Sequence, residues 1–359
     1  MKYPSIIASA ALIAFPTWLP AAPGSDPSAQ PHIEHIAVWV KDVDRTARFL
    51  SETLGWRRHP LVFGVNDDDK IFGGMNLAFV DANGLWLELV QPTTPGPGMD
   101  FLKEKGDGAL VELDFFVDDF DKAEAAIRAK GIKPVGMDGK PLVNGGRLTE
   151  WAIEGGKRVP GEERLLYLPM DVSGGTSVEI GWEYPSGVVL YRDATWTDTQ
   201  RTPRSGPRVD HTVVLAADLE KSAKFYTGVL GLPRIPDKRG VRHDWMSVGD
   251  ATQAWFKGNG KGFGIQVVAA PATAAGSALI KNPKYGDGAI MELDVEVEDI
   301  DAFFDQMKVK GITMTAGDGS ALHGGQKAVI EDSGVRYSYF PEQKSEGMRI
   351  MVYQQAAKK

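Results

Sequence analysis

Glu112 and Glu292 stand early in two strongly apolar stretches, Leu110-Val-Glu-Leu-Asp-Phe-Phe-Val117 and Ala289-Ile-Met-Glu-Leu-Asp-Val295. An ionised carboxylate in a strand buried on at least one face is costly unless something neutralises it. A cation bound on the concave side of each strand would account for both residues. The recurrence is not accidental. Residues 106–121 and 286–301 are identical at ten of sixteen positions at a constant offset of 180. The chain is therefore an internal duplication, and a chemistry-bearing residue is among the positions both copies keep.

The elements that would hold these residues follow from periodicity. His32 to Val40 reads as a β-branched strand. Asp42 caps a helix whose apolar set, Val43, Ala47, Leu50 and Leu54, recurs at helical spacing before Gly55 ends it. Residues 56–62, 75–80 and 85–91 are three more expected strands, the last two joined by the tight turn Asp81-Ala-Asn-Gly84. The order strand, helix, three strands restarts at Leu110, with a helix from Asp119 to Lys130 closed by Gly131 and strands near 148–154, 164–168 and 176–182. It restarts again at His211, with a helix from Asp218 to Leu230 and strands near 243–248 and 263–269. A fourth unit runs from Leu293 to the strand 348–354. The fold class expected is α+β, four βαβββ units filling the mature chain.

Composition limits the function. At 359 residues there is length for two ordinary domains with cores of their own. A net charge of −8 gives no basic face for nucleic acid. Met1-Lys2, an apolar run from Ile6 to Leu19 and the small-residue stretch that follows read as a secretory signal peptide, residues 1–25, too short in its apolar part to span a bilayer. The sequence contains no cysteine, so there is no disulfide framework, thiolate metal site or lipid-attachment cysteine. Export without disulfides points to the periplasm or secretion, with no membrane association after cleavage. Residues 185–207, rich in Thr, Pro, Arg and Gly, mark a linker between an N-terminal domain, 32–184, and a C-terminal domain, 208–354. The Gly-rich run 258–264 joins two strands and has Phe263 where a dinucleotide fingerprint needs its third glycine, so it reads as a hairpin loop.

The openings His35-Ile-Ala-Val-Trp-Val and His211-Thr-Val-Val-Leu, each leading through Asp to a helix that ends Leu-Gly, carry a resemblance, as does the close Leu85-Trp-Leu-Glu88-Leu-Val-Gln-Pro92. With four units in pairs, the chain resembles the vicinal oxygen chelate superfamily: glyoxalase I, methylmalonyl-CoA epimerase, fosfomycin and bleomycin resistance proteins and extradiol dioxygenases. That resemblance covers residues 32–354. It implies two glyoxalase-like domains with cup-shaped mixed sheets, and a metal held by the first-strand and last-strand positions of each unit. Those positions are His35 and Glu88 in the first unit and Glu112 and Glu179 in the second. In the second half His211 and Glu292 remain, but Gln266 and Met351 replace the other two. A thioether is a poor partner for a hard divalent cation, so the first half is the expected metal cup and the second a structural or substrate-shaping relative.

One His with three Glu leaves a divalent ion with a net charge of −1. An oxygen-rich set favours Mn²⁺, Mg²⁺, Fe²⁺, Co²⁺ or Ni²⁺ in six-coordinate geometry over tetrahedral Zn²⁺. Extradiol oxygenases use two His and one carboxylate, which disfavours ring cleavage here. What the resemblance implies is an isomerase, epimerase or lyase: a small substrate chelates the ion through adjacent oxygens, and a carboxylate removes an α-proton while the metal holds the resulting enediolate. Glu179 is the first choice for that base and Glu88 the second. The alternative is a non-catalytic small-molecule binding or sequestering protein of the bleomycin-resistance type. Seven extra residues between Gly146 and Pro169, relative to Gly325 to Pro341, are expected as a loop at the cup mouth, and Trp39, Phe116, Tyr167 and Trp182 as candidate lining residues. Monomer and homodimer are both open.

Overall fold

The computed structural model describes residues 30–59, 62–65, 73–154, 157–183, 206–235, 253–258, 263–269, 280–281, 286–322, 328–330 and 334–355. The signal peptide, most of the linker and the strand expected near 243–248 lie outside the described residues.

The first half orders as β1 (His32–Trp39), α1 (Val43–Leu54), β2 (Arg57–Arg58), β3 (Val62–Val65), β4 (Met75–Asp81), β5 (Trp86–Pro92), α2 (Pro97–Lys105), β6 (Ala109–Phe116), α3 (Phe120–Ala129), β7 (Arg147–Glu154), β8 (Lys157–Tyr167) and β9 (Ser177–Glu183). The second half has β10 (Arg208–Ala216), α4 (Leu219–Lys224), β11 (Arg234–Ile235), β12 (Gln253–Lys257), β13 (Gly264–Ala269), β14 (Ile290–Glu296), α5 (Ile300–Val309), β15 (Val329–Ile330), β16 (Arg336–Tyr339) and β17 (Ile350–Gln354). This is the expected α+β fold of duplicated glyoxalase-like units.

Local chemistry fixes the helix ends. Asp42, Asp119, Asp218 and Asp299 each accept a backbone N–H from the first turn that follows, satisfying donors a helix start leaves orphaned. Gly55 closes α1 in the left-handed region, at φ 71°. The single helix expected over 218–230 instead changes after Lys224 into a π-type turn, Phe225–Val229. There the Thr227 hydroxyl bonds back to the Ala223 carbonyl at 2.8 Å and Gly228 offers little helical preference.

The two sheets differ in closure. In the first, neighbours run β4-β3-β7-β8-β9-β6-β1-β5, and β5 pairs again with β4, so eight strands form a ring with β2 on its side. Closure comes from β3 pairing antiparallel with β7, Val62 to Val65 against Ile153 to Glu150. The strand expected near 148–154 is β7, but the extra length expected as a mouth loop is corrected: it extends β7 and β8 into a long hairpin, paired from Arg147↔Arg164 to Glu154↔Lys157, that reaches across to β3. The second sheet has the order β11-β12-β13-β10-β14-β17-β16-β15 and stays open among the described residues. An eight-stranded ring has an interior wide enough for side chains or one small ligand.

Alternation along the strands divides the side chains into two sets. Ile36, Val38 and Val40, with Leu87, Leu89, Leu113, Phe115, Val178 and Ile180, face the helices and join one continuous core that also includes Val214, Leu293, Ile350 and Val352 of the second half. The opposite parity, His35, Ala37, Trp39, Glu88, Val90, Glu112 and Asp114, faces the ring interior.

The repeated Gly-Asp-Gly turns join the halves. A Cβ on Gly108 (φ 73°) would overlap the backbone of Gly347 and Met348, and one on Gly288 (φ 79°) that of Gly175 and Thr176. Asp107 Oδ1 accepts the Lys41 N–H at 2.8 Å, and Asp287 Oδ1 the Ala217 N–H at 2.7 Å. Part of the strongest repeat in the sequence therefore serves a reciprocal junction.

Candidate metal centre

The antiparallel pairing of β1 with β6 sets His35 opposite Asp114 and Ala37 opposite Glu112. Parallel pairing places Glu88 beside Ala37 and Glu179 beside Asp114. Because one face of each strand looks inward, these registers gather four side chains expected from the sequence, His35, Glu88, Glu112 and Glu179, around a fifth that was not, Asp114. Ligand atoms of His35, Glu88 and Asp114 lie within 4.8 Å of one another, and so do those of Glu112, Asp114 and Glu179. His35 Nε2 is 3.1 Å from Asp114 Oδ2 and 3.8 Å from Glu88 Oε2. Asp114 had a signal in the sequence. It lies two residues after Glu112, hence on the same strand face, and recurs as Asp294 within the duplicated Glu-Leu-Asp.

The surroundings are apolar and wholly anionic. Phe79 and Phe116 meet His35 edge-on, with centroids 5.6 and 5.9 Å away. Burial holds the His35 imidazole neutral, its pKa pushed down to about 3. Both carboxylate oxygens of Asp114, only 1 % exposed, lack a hydrogen-bond donor, as does His35 Nδ1. Burial first, then Glu112, Glu179 and Glu88, raises the Asp114 carboxyl well above the usual range. Burial and the charges of Glu112 and Glu163 do the same to Glu179. Glu112 is raised by burial, while hydrogen bonds hold it back: Ser177 Oγ donates at 2.6 Å and Tyr167 OH at 3.3 Å. Among the described residues no Lys or Arg forms an ion pair with Glu112, Asp114 or Glu179. Glu88 keeps 17 % of its side chain exposed, giving the group contact with solvent.

Of the expected lining residues, Phe116 and Tyr167 are at the centre. Trp39 lies farther along the interior, its ring tilted against that of Phe101 of α2 with centroids 4.7 Å apart. Trp182 is a correction: it has the parity of Ile180 and packs on the helix-side core. Other described histidines stay apart from both groups: His32 faces Glu34 at 3.7 Å, and His59 packs on Trp86.

The second cup places counterparts at the same registers but pairs one of them, Glu292, with a cation. His211 Nδ1 is 2.7 Å from Asp210 and its Nε2 2.6 Å from Asp294. Glu292, fully buried, accepts Arg349 Nε at 2.9 Å and Tyr339 OH at 3.3 Å. Arg349 precedes Met351 by two residues, as Ser177 precedes Glu179, so a guanidinium stands where the first cup has a hydroxyl. Met351 packs with Val335, Tyr337, Tyr339 and Tyr353.

A hard divalent ion suits this donor chemistry: one neutral imidazole and buried carboxylates without cationic partners. The chain matches two family models of the same description, glyoxalase/bleomycin resistance protein/dioxygenase superfamily, over residues 34–149 and 208–336. No curated protein matches it in sequence. A variant of 4-hydroxymandelate synthase from Streptomyces coelicolor is similar at 14 % identity, over 92 % of this chain and 94 % of that one, with a TM-score of 0.56. A xylose isomerase-like TIM barrel/4-hydroxyphenylpyruvate dioxygenase fusion protein, also 14 % identical, matches 95 % of this chain and 52 % of its own length, with a TM-score of 0.51. These likenesses are likenesses of fold. With its duplicated units, paired sheets and matches in both halves, the chain belongs to the glyoxalase/bleomycin resistance protein/dioxygenase superfamily, as a two-domain vicinal oxygen chelate member.

Proposed function

We propose that the protein is a divalent-metal-dependent enzyme of the periplasm that isomerises, epimerises or eliminates from a small oxygenated substrate, with its working site in the first cup. The observation that carries this reading is the gathering of His35, Glu88 and Asp114, and beside them Glu112 and Glu179, in an interior where, among the described residues, no Lys or Arg pairs with Glu112, Asp114 or Glu179. Such a group is not tolerated for packing alone.

His35, Glu88, Glu112 and Glu179 would hold the ion, with Asp114 beside them. Mn²⁺, Fe²⁺, Co²⁺, Ni²⁺ and Mg²⁺ fit an oxygen-rich set better than Zn²⁺. When bound, the ion supplies Lewis-acid stabilisation of negative charge on substrate oxygens. Glu179 takes the proton at its Oε: its raised proton affinity suits a base, and Tyr167 lies beside it to orient the carboxyl. Glu88, the more exposed carboxylate, is the second candidate. Phe79 and Phe116 keep bulk water from His35, and Ser177 fixes one Glu112 oxygen.

A single imidazole in the group disfavours oxygenase chemistry of the two-His type. The test is turnover of α-hydroxy carbonyl compounds by the metal-loaded protein in deuterated water. Wild type should exchange or shift the α-proton, and Glu179→Gln should slow it by ~10²–10⁴-fold. Stoichiometric binding of such compounds without exchange or turnover would point instead to the sequestering protein, and failure to bind either metal or substrate would overturn both readings.

A further inference from the structure

We infer that the first cup holds two divalent ions rather than one, bridged by Asp114. The inference rests on reading that cup as a metal site and goes beyond it in number and arrangement. The five donors do not converge on one point. They form two groups that share only Asp114: His35 and Glu88 on one side, Glu112 and Glu179 on the other. Asp114 lies between them, 1 % exposed, with neither oxygen receiving a hydrogen bond. A carboxylate with two open oxygens between two half-sets of donors is the usual bridge in two-metal centres, whose ions lie about 3.5–4 Å apart.

The second cup supports this independently, because it shows where positive charge or hydrogen-bond donation is needed when metal ligands are absent. There Asp294, the counterpart of Asp114, faces His211 Nε2 at 2.6 Å, as Asp114 faces His35 Nε2 at 3.1 Å, so the two cups differ at the other place. Glu292, the counterpart of Glu112, is held by Arg349 at 2.9 Å. The first cup has Ser177 in place of Arg349. Its hydroxyl serves one Glu112 oxygen but carries no charge to offset Glu112 and Glu179. A single ion on the His35 side would leave that pair uncompensated.

Full-length mature protein, stripped with chelator, would be titrated with Mn²⁺ and passed through a desalting column, then measured by elemental analysis and electron paramagnetic resonance. The expected result is two Mn²⁺ per chain with an exchange-coupled signal. Ser177→Arg, which copies the second cup, should fall to one uncoupled Mn²⁺, and Glu112→Gln is the companion variant should the arginine disturb folding. Glu292→Gln should keep two. One uncoupled Mn²⁺ in wild type would overturn the two-ion inference while leaving the metal site standing. No Mn²⁺, nor any Co²⁺ or Ni²⁺ in parallel titrations, would overturn the functional reading itself. Two ions that become one in Glu292→Gln but not in Ser177→Arg would place the second ion in the other cup and contradict the inference.

Discussion

Ser177 and Arg349 occupy the same place in the two cups, and the difference between a hydroxyl and a guanidinium decides what else each cup requires. Arg349 makes Glu292 tolerable in an interior where it is fully buried. Removing one partner of such a pair costs about 3–5 kcal/mol. Arg349→Met should therefore lower the unfolding free energy by that order without changing the metal content of the first cup; denaturant unfolding and elemental analysis read the two effects separately. The first cup depends on pH with a definite sign. Glu112, Asp114 and Glu179 hold protons more tightly folded than unfolded, so the metal-free protein loses stability as pH rises above the ordinary carboxylate range, about 4. His35 acts oppositely: folded it stays neutral down to about 3, so its contribution is full above about 6.5 and fades as pH falls below that. A metal must displace the carboxylate protons. Stabilisation by added Mn²⁺, followed as a thermal shift, should grow from pH 5.5 to pH 8, and a shift independent of pH would contradict the ligand set. Most of these residues were legible in the sequence. Glu112 was conspicuous as a charge in an apolar strand, and register confirms that it and His35 hold equivalent places. Asp114 was overlooked because the resemblance supplies only one position per strand, although the two-residue period put it on the same face. Arg349 was invisible, since nothing local marks a charge whose partner is 57 residues away.

Among the elements, the β7–β8 hairpin converts a cup into a ring. The excess length and the strand near 148–154 were legible, but the long hairpin and its pairing with β3 were not, because that pairing is a long-range choice that no local period encodes. α2 and β12 also went unanticipated: α2 follows a Pro- and Gly-rich stretch that reads as loop, and β12 is a short strand of five residues. Shortening the hairpin by seven residues, to the length found in the second half, should open the ring at β3 and make the carboxylate group more accessible. The readout is faster metal release to chelator, expected to rise at least tenfold, with the fold retained by circular dichroism; unchanged release would show that closure does not gate the site. The Gly-Asp-Gly turns tell a different lesson. Their repetition was plain, yet their purpose, backbone contact between halves, needed three dimensions. Gly108→Ala and Gly288→Ala combine a disfavoured φ with overlap against backbone, and each should cost at least ~2 kcal/mol in denaturant unfolding.

Across the whole molecule, the helix-facing surfaces of both sheets share one hydrophobic core, with Phe49 of α1 against Phe340 at 5.7 Å. Cross-half bonds add to it, including Trp56 Nε1 to the Pro207 carbonyl at 2.9 Å and Val209 N–H to the Ala82 carbonyl at 3.1 Å. The division at 185–207 that composition suggests is thus bridged by packing. No helix of the described residues is long and apolar enough to cross a membrane. Duplication has produced one cup lined with unneutralised carboxylates and one that carries its own cation. The most direct measurement of that contrast is the metal content of the purified protein, beside Glu112→Gln and Glu292→Gln variants. Metal retained in wild type and Glu292→Gln but lost or reduced in Glu112→Gln is the expected result. Metal absent from all three, or depleted equally in both variants, would contradict the assignment of the working site to the first cup.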